Sequence, residues 1–470
     1  MSKYLYGASV QGIQEFIFAT NELKSIIGAS EIIKNISKTV KKEYEKHIVI
    51  NAAGNIKLIF DESEKEVLEH LVLTFVKEMK QKAYGITMSQ AVVEFEEGNL
   101  KKAFEDLERQ LFIQRNKGDI SLDMSINILT LAQKTARPLV ENNLDMSTLL
   151  KEKASPSKGN IPKNRKNKTA IIHADGNGLG AMIASMTEDL SDDNKIIKAY
   201  KSFSENLEKA TVNAFQSAKK GMDEKDIRDV ILGGDDMTVI CKADDALEFT
   251  NNFLSDFEKQ TKELMGKTGL TACAGIAYCN HKYPFHYAVN LAESLCNYAK
   301  EHSKKINKNF APSSLMFHNI QSSNFSNYKD YIAKELTLNS DKNEVGLNFG
   351  PYFVKEQNNY ATITSFRYLV KALEKKGSPV SRLREWLTIL GQDATEAKER
   401  LLRINDMMEL RNAIYNKKAL ENSLQKFNEG LSMTNLMLQR EESKYTPIGD
   451  VISHLSVVDH AVNKSEEEGK

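Results

Sequence analysis

The same order of predicted strands and helices occurs twice in this chain of 470 residues. The first copy opens with a strand over Lys3–Ser9 and a helical stretch from Gly12 to Lys46, and two apolar runs around Asn51–Asn55 then predict a hairpin. A helix, a strand and another helix complete it. The second copy starts near Thr169 and repeats this order. Matched βαββαβ units rarely arise by chance, so the sequence predicts an α+β fold with two ferredoxin-like domains.

Two segments of the second copy carry acidic residues next to glycines. Its first predicted strand ends in the loop Asp175-Gly176-Asn177-Gly178-Leu179-Gly180. Its predicted hairpin turns at Gly233-Gly234-Asp235-Asp236. In a βαββαβ sheet the first strand lies beside the hairpin strands, so we expect Asp175 to meet Asp235 and Asp236 at one sheet edge. Considered alone, the hairpin segment also fits an ordinary polar turn, because glycine and aspartate are favoured there.

Three carboxylates around one point predict a metal site. Without a counter-charge they repel one another and raise their own pKa values, which a divalent cation would relieve. Oxygen ligands of this kind suit Mg²⁺ or Mn²⁺, which also accept substrate phosphates as ligands. We therefore interpret Asp175, Asp235 and Asp236 as catalytic residues and as ligands of two divalent cations. Two such ions can activate a ribose hydroxyl and neutralise a leaving pyrophosphate, so no protein nucleophile is required.

The glycines beside these carboxylates predict a nucleotide site. Gly176, Asn177 and Gly178 precede a predicted helix, whose free backbone N–H groups can bind a triphosphate. Gly233 and Gly234 allow a tight turn and a close approach of the ligand to the main chain. We therefore expect all of these residues to contact nucleotide.

The sequence predicts different roles for two basic side chains near the acidic residues. Lys300, late in the last helix of the second copy, can reach a triphosphate, although it also fits a solvated helix face shared with Lys304 and Lys305. His173, two residues before Asp175, is interpreted as a sheet-facing side chain rather than a catalytic base.

The repeat divides the chain into predicted regions: a degenerate first domain at 1–120, a connecting segment at 121–168, a catalytic domain at 169–310 and a mainly helical domain at 311–470. Lys151–Lys168 holds seven basic residues and one acidic residue. This composition is typical of a solvated tether, with contact to an anionic nucleic acid or triphosphate as the alternative. Helices are expected beyond Pro312, and Gly28-Ala29-Ser30 predicts a break in the first helical stretch.

Charge and hydropathy argue against several classes of protein. Lys plus Arg and Asp plus Glu both total 64, so the net charge does not draw the chain toward nucleic acid or membrane. The four cysteines lack a CxxC pair, which fits neither a secreted disulfide framework nor a zinc ribbon. No apolar run approaches the roughly 20 residues of a bilayer span, so we expect a cytoplasmic protein with no membrane partner.

At these residues the chain resembles a known family. The GGDD hairpin and the Asp-Gly loop are similar to the second palm of the large, cyclic-oligonucleotide-synthesising subunit of type III CRISPR complexes, and more distantly to GGDEF diguanylate cyclases. Gly12–Phe18, followed by Gly28-Ala29-Ser30, resembles the first palm of that family. Ser314–His318 resembles its post-palm segment. The resemblance covers both units and the C-terminal region.

The resemblance implies a palm-type nucleotidyltransferase that makes cyclic or linear oligonucleotide second messengers in antiviral defence. ATP is the expected substrate. The expected partners are this triphosphate, RNA or CRISPR-like effector subunits, and a second copy of the chain in a homodimer. The alternatives are a subunit of an RNA-guided complex that target RNA activates, and a non-catalytic nucleotide- or RNA-binding palm protein.

The first copy departs from the family pattern at the metal ligands. It has Asn51–Asn55 where the second copy has GGDD, and Ser9 and Val10 where the second copy has Asp175. For such a unit the resemblance implies a platform for the acceptor nucleotide, or a scaffold. The sequence also has no N-terminal His-Asp nuclease domain and no cysteine-rich zinc insert, so we expect a reduced or stand-alone relative.

Overall fold

A computed structural model gives the fold of most of the chain. It describes residues 2–20, 22–52, 54–83, 86–117, 161–266, 269–321, 328–340, 343–358, 360–375, 377–410, 414–440 and 443–459. Most of the predicted connecting segment at 121–168, including the basic stretch up to residue 160, lies outside these residues. Within the described part, no helix is long and apolar enough to cross a membrane.

The first unit is built on an antiparallel sheet in the order β2-β3-β1-β4. Its strands are β1 (Ser2–Gln11), β2 (Ile48–Ala52), β3 (Asn55–Asp61) and β4 (Thr87–Glu96). Its helices are α1 (Ile13–Ile17), α2 (Leu23–Tyr44), α3 (Lys65–Lys82) and α4 (Leu100–Asn116). The first strand lies between the hairpin and the last strand, which is the ferredoxin-like arrangement that the sequence predicts.

The second unit repeats this arrangement in the order β8-β5-β7-β6. Its strands are β5 (Lys168–Gly176), β6 (Ile227–Gly233), β7 (Asp236–Lys242) and β8 (Ala272–Asn280). Its helices are α5 (Leu179–Thr187), α6 (Asp193–Ala218), α7 (Ala243–Met265) and α8 (Phe285–Ile306). The predicted pair of βαββαβ units is therefore confirmed.

Matching glycines mark the same positions in both units. Gly12 and Gly178 precede the first helix of their units with φ of 61° and 75°, and Gly54 and Gly234 lie in the two hairpin turns with φ of 77° and 61°. Residues with a Cβ rarely adopt this left-handed conformation. The two units therefore share these backbone conformations, although the hairpin segment of the first unit, Asn51–Asn55, contains no aspartate.

The predicted break in the first helical stretch is wrong in position. Gly28, Ala29 and Ser30 lie inside α2, and the chain leaves the helical conformation between Ile17 and Leu23 instead. These small residues are buried, and the Ser30 hydroxyl donates a hydrogen bond to the Val230 carbonyl on β6. Because these residues are small, α2 can approach the second sheet closely. Their role is therefore close packing between the two units and not the end of a helix.

The sheet of the second unit also extends farther than the sequence predicts. Beyond Pro312, where helices were expected, β9 (Ser314–Asn319) pairs parallel with β8, and β12 (Tyr352–Phe353) pairs antiparallel with β9. All six side chains of β9 are buried. A strand that is covered on both faces has no alternating polar pattern, so periodicity could not distinguish it from a helix.

The C-terminal region is mainly helical, as predicted. Its helices are α9 (Tyr328–Glu335), α10 (Ile363–Glu374), α11 (Val380–Leu390), α12 (Ala394–Leu410), α13 (Ile414–Phe427) and α14 (Pro447–Val457). A small sheet in the order β10-β11-β14-β13 combines β10 (Thr337–Ser340), β11 (Asn343–Gly346), β13 (Leu438–Arg440) and β14 (Ser443–Tyr445).

The two faces of the second sheet belong to different hydrophobic cores. Ile172 and Val239 face a core that α6 and α7 share with the C-terminal helices. Ile171 and Ile240 face a core that α8 shares with α2 and β1 of the first unit. Residues with odd numbers on β5 and even numbers on β7 therefore point toward α8 and the first unit. This face carries the acidic residues.

Candidate functional site

The three aspartates meet at one end of the second sheet. Strands β5 and β7 are antiparallel, and Ala174 pairs with Met237, so Asp175 and Asp236 each lie one residue beyond that pair. Asp235, in the hairpin turn, lies against Gly176: a Cβ on this glycine would be 2.8 Å from the Asp235 Cβ. The structure thus brings together residues that are 60 positions apart in the sequence.

Mutual repulsion and burial strongly affect these carboxyl groups. Burial, with Asp236 and Asp175 adding to it, raises the pKa of Asp235 to about 8. Burial and the charge of Asp175 raise the pKa of Asp236 to about 7, while Lys300 opposes the rise. Burial and the neighbouring carboxylates therefore both disfavour full ionisation of Asp235 and Asp236 near neutral pH.

Helix α8 supplies one cation and one more carboxyl group. The Lys300 ammonium forms an ion pair with Asp175 and donates a hydrogen bond of 3.0 Å to the Gly176 carbonyl. Glu293, two turns earlier on the same face of the helix, has its pKa raised to about 7 by burial and then by Asp175 and Glu15. Sequence reasoning anticipated Lys300 but missed Glu293, because no local motif links it to the aspartates.

His173 lies on the same face of β5 as Asp175. One ligand atom from each of His173, Asp175 and Asp236 can be chosen so that all three lie within 4.8 Å of one another. The Nδ1 atom of His173 is 3.2 Å from the Thr238 Oγ1, within hydrogen-bond distance. Burial lowers the pKa of His173 to about 4, so its imidazole is neutral at physiological pH.

The loop after β5 is held mainly by Asn177. Its backbone N–H donates to the Thr271 carbonyl at 2.8 Å, and its side-chain amide donates to the Thr271 hydroxyl at 3.1 Å. The Asn177 side chain is thus bonded to a neighbouring segment of the protein. Gly178 then starts α5 in the left-handed conformation. Helix α5 therefore presents its N-terminus next to the carboxylates, as the sequence predicts.

The hairpin turn opens into a cavity between the two units. Gly233, Gly234 and Asp236 line this cavity, whose volume is about 400 Å³. The Thr211 hydroxyl of α6 donates a hydrogen bond of 2.5 Å to the Gly234 carbonyl, which fixes the turn from behind. The glycines thus leave the backbone of the turn open to a ligand on the cavity side.

The same cavity is lined by a row of lysines from α2. Lys34, Lys38 and Lys41 recur at helical spacing and all line the cavity. Lys34 lies 3.4 Å from Asp229 of the second unit, whereas no ion pair joins Lys38 or Lys41 to a carboxylate in the described residues. Sequence reasoning missed this row, because only the packing of α2 against β6 turns it toward the hairpin.

The donors at the hairpin fit a divalent cation. Asp175 and Asp236 offer carboxylate oxygens within 4.8 Å of each other, and burial together with neighbouring carboxylates raises the pKa of Asp235 and Asp236. An ion held there would share carboxylates with Lys300, so its binding would weaken the Lys300–Asp175 ion pair. The mixture of hard oxygen donors and an open cavity is typical of ions that also bind phosphate.

Known proteins support the fold and the family. Residues 168–309 match the model of the Cas10/Cmr2 second palm domain, whereas a search of curated proteins gave no significant match. A Csm1–Csm4 cassette in complex with pppApApA is similar over 97% of this chain and 69% of that chain, with 16% identity and a TM-score of 0.56. The cassette in complex with cA3 gives the same coverage with 15% identity and a TM-score of 0.54.

The match to the apo Csm1–Csm4 cassette is shorter. It covers 64% of this chain and about half of that chain, 53%, with 17% identity and a TM-score of 0.47. At these identities the solved structures support the fold, while the family model identifies the domain. Residues 168–309 match the second palm domain of the Cas10/Cmr2 family, and this match confirms the resemblance to the large palm-domain subunits of type III CRISPR complexes.

Proposed function

We propose that this chain is a metal-dependent nucleotidyltransferase that joins nucleoside triphosphates, ATP first among them, into short oligonucleotides and cyclises them. The observation that carries the proposal is the meeting of Asp175, Asp235 and Asp236 at the edge of a cavity between the two units. Clustered buried acids destabilise a fold unless a cation uses them, so their presence favours catalysis over a purely structural palm.

The residues around the cavity suggest separate tasks. Asp175, Asp235 and Asp236 would hold divalent cations, which supply charge neutralisation at the reacting phosphates. Lys300 and the N-terminus of α5, with Gly176, Asn177 and Gly178, would bind the triphosphate whose α-phosphorus is attacked. Gly233 and Gly234 would allow this nucleotide to lie against the main chain.

A second nucleotide is proposed to bind on the first unit. The cavity volume of about 400 Å³ suits a drug-sized or nucleotide-sized ligand. Lys38 and Lys41 on α2, which line the cavity, would offer positive charge to its phosphates. A ribose hydroxyl of this nucleotide would then face the carboxylates. Holding the two reacting groups close together can lower the activation free energy by several kcal/mol.

A turnover experiment tests the proposal. Purified protein with Mn²⁺ should release pyrophosphate from ATP, and mass spectrometry should identify the oligonucleotide product for each of the four triphosphates. Asp235→Ala combined with Asp236→Ala should abolish release while circular dichroism stays native. Asp223→Ala, which removes an exposed carboxylate of the same domain, should keep wild-type turnover. Equal turnover in the double variant would falsify the site assignment.

A second candidate is synthesis within an RNA-guided complex. The similar structures are described as Csm1–Csm4 cassettes, in which a Csm1 chain is held with another protein. By that analogy, this chain would bind effector subunits and would require target RNA for full activity. Purification of a tagged chain from its native cells, followed by mass spectrometry and RNA sequencing, separates the candidates. A stand-alone enzyme would be active without partner proteins or small RNA.

A further inference from the structure

His173 occupies an unusual position for a buried histidine in a sheet. It lies two residues before Asp175 on β5, and Thr238 is its partner on β7, two residues after Asp236. Side chains two residues apart share a face of a strand. The four side chains therefore form one patch beneath the hairpin, on the side covered by α8, and only 7% of His173 is exposed.

The hydrogen bond to Thr238 directs the imidazole. Nδ1 lies 3.2 Å from the Thr238 hydroxyl, and in the described residues Nε2 has no hydrogen-bond partner. A metal-ligating histidine usually bonds an oxygen atom through its other ring nitrogen, which fixes the tautomer and the ring orientation. Thr238 is in place for this role, so Nε2 is the nitrogen that remains available.

We propose that His173 is a metal ligand, which joins Asp175 and Asp236 in a mixed nitrogen and oxygen site. The separation of their ligand atoms, at most 4.8 Å, suits ligands of one first-row transition ion. An imidazole nitrogen favours ions such as Co²⁺ over Mg²⁺, which prefers oxygen donors. The inference rests on the proposed function, because it concerns the same cation site, and it adds a preference for a transition ion.

The alternative is a histidine that serves packing alone. In that case Nε2 would remain at a distance from the ion, and a glutamine of similar size would leave the metal preference unchanged. The two roles therefore differ in a spectroscopic signal and in an affinity ratio, neither of which depends on turnover.

The direct test is pulsed electron paramagnetic resonance of the Mn²⁺-loaded full chain without nucleotide. The wild-type spectrum should contain an imidazole ¹⁴N coupling, which His173→Gln should abolish. His318→Gln, at another buried histidine of the same sheet, should retain it. Labelling the wild-type protein with ¹⁵N-histidine should convert the coupling to that of ¹⁵N, so the result stands even if the variant fails to fold.

Calorimetric titration gives the second readout. In the wild type Co²⁺ should bind more tightly than Mg²⁺, and His173→Gln should reduce this ratio by at least about tenfold. Bound Mn²⁺ without nitrogen coupling, or an unchanged ratio, would overturn the role of His173 and leave the proposed function intact. Absence of any Mn²⁺ or Mg²⁺ binding would contradict both.

Discussion

Replacing Asp236 by asparagine should stabilise the metal-free protein at alkaline pH. The pKa of Asp236 rises from 3.8 to about 7 on folding, through burial and the charge of Asp175. Between these two values the folded protein binds a proton that the unfolded chain has lost. The free energy of unfolding therefore falls as the pH rises from 3.8 to about 7, and it stays low above this range.

The expected gain follows from the same values. At about 1.4 kcal/mol per pH unit, ionising Asp236 costs the folded state about 4 kcal/mol at pH 8. A buried asparagine avoids this cost but loses about 1 to 2 kcal/mol in unmatched hydrogen bonding. Asp236→Asn should therefore stabilise the protein by about 2 to 3 kcal/mol at pH 8. At pH 5 the folded state keeps Asp236 protonated, which costs about 2 kcal/mol relative to the unfolded chain, so the two effects should nearly cancel.

Denaturant unfolding in EDTA at pH 5 and pH 8 measures this difference. Trp386 is the single tryptophan of the chain, and it is buried in the core that the C-terminal helices share with the second sheet, so its fluorescence reports on the relevant domain. Asp223→Asn, at a carboxylate that is exposed and paired with Lys225, should change nothing. The reasoning fails if Asp236→Asn gives no gain at pH 8, or the same gain at pH 5.

Two further predictions concern the surroundings of the carboxylates. Gly176→Ala would place a Cβ 2.8 Å from the Asp235 Cβ and should displace that aspartate by roughly 0.6 Å or more, with a loss of turnover of about 100-fold. Gly180→Ala meets nothing within 4 Å and should keep wild-type turnover, so equal rates in the two variants would contradict the geometry. Glutamate at both Lys38 and Lys41 should raise the KM for ATP by about tenfold in steady-state kinetics. Lys42→Glu, outside the cavity, should leave KM unchanged, and a similar effect at Lys42 would indicate a general charge effect.

The sequence predicts the repeated units well because their signals are local. Hairpin chemistry, strand-ending Asp175 and the glycines before α1 and α5 are all read within short windows. Once the βαββαβ order is recognised, the known strand order brings Asp175 beside Asp236 without further information. The helical C-terminal region was predicted for the same reason, since amphipathic helices repeat their pattern over several turns.

Features that depend on packing between elements escaped prediction. Gly28-Ala29-Ser30 was interpreted as a helix break, although these residues instead allow α2 to contact β6. Strand β9 has six buried side chains and therefore no alternation. His173 and Glu293 join the candidate site from different elements, and neither belongs to a motif. Their contribution could be recognised only from the sheet register and the position of α8.

The net charge of the chain is zero, but the fold concentrates charged side chains around the cavity. The chain has 64 basic and 64 acidic residues, yet the cavity is lined by three lysines of α2 and by Asp236 of the hairpin. At about 8 Å the Debye length at physiological salt is comparable to such a cavity, so these charges act on a bound triphosphate but fade at larger distances. In the proposed function a triphosphate with its cation would use both kinds of charge, because its phosphates would complement the lysines and the cation would complement the carboxylates. The degenerate first unit can therefore contribute to binding without any metal ligand of its own.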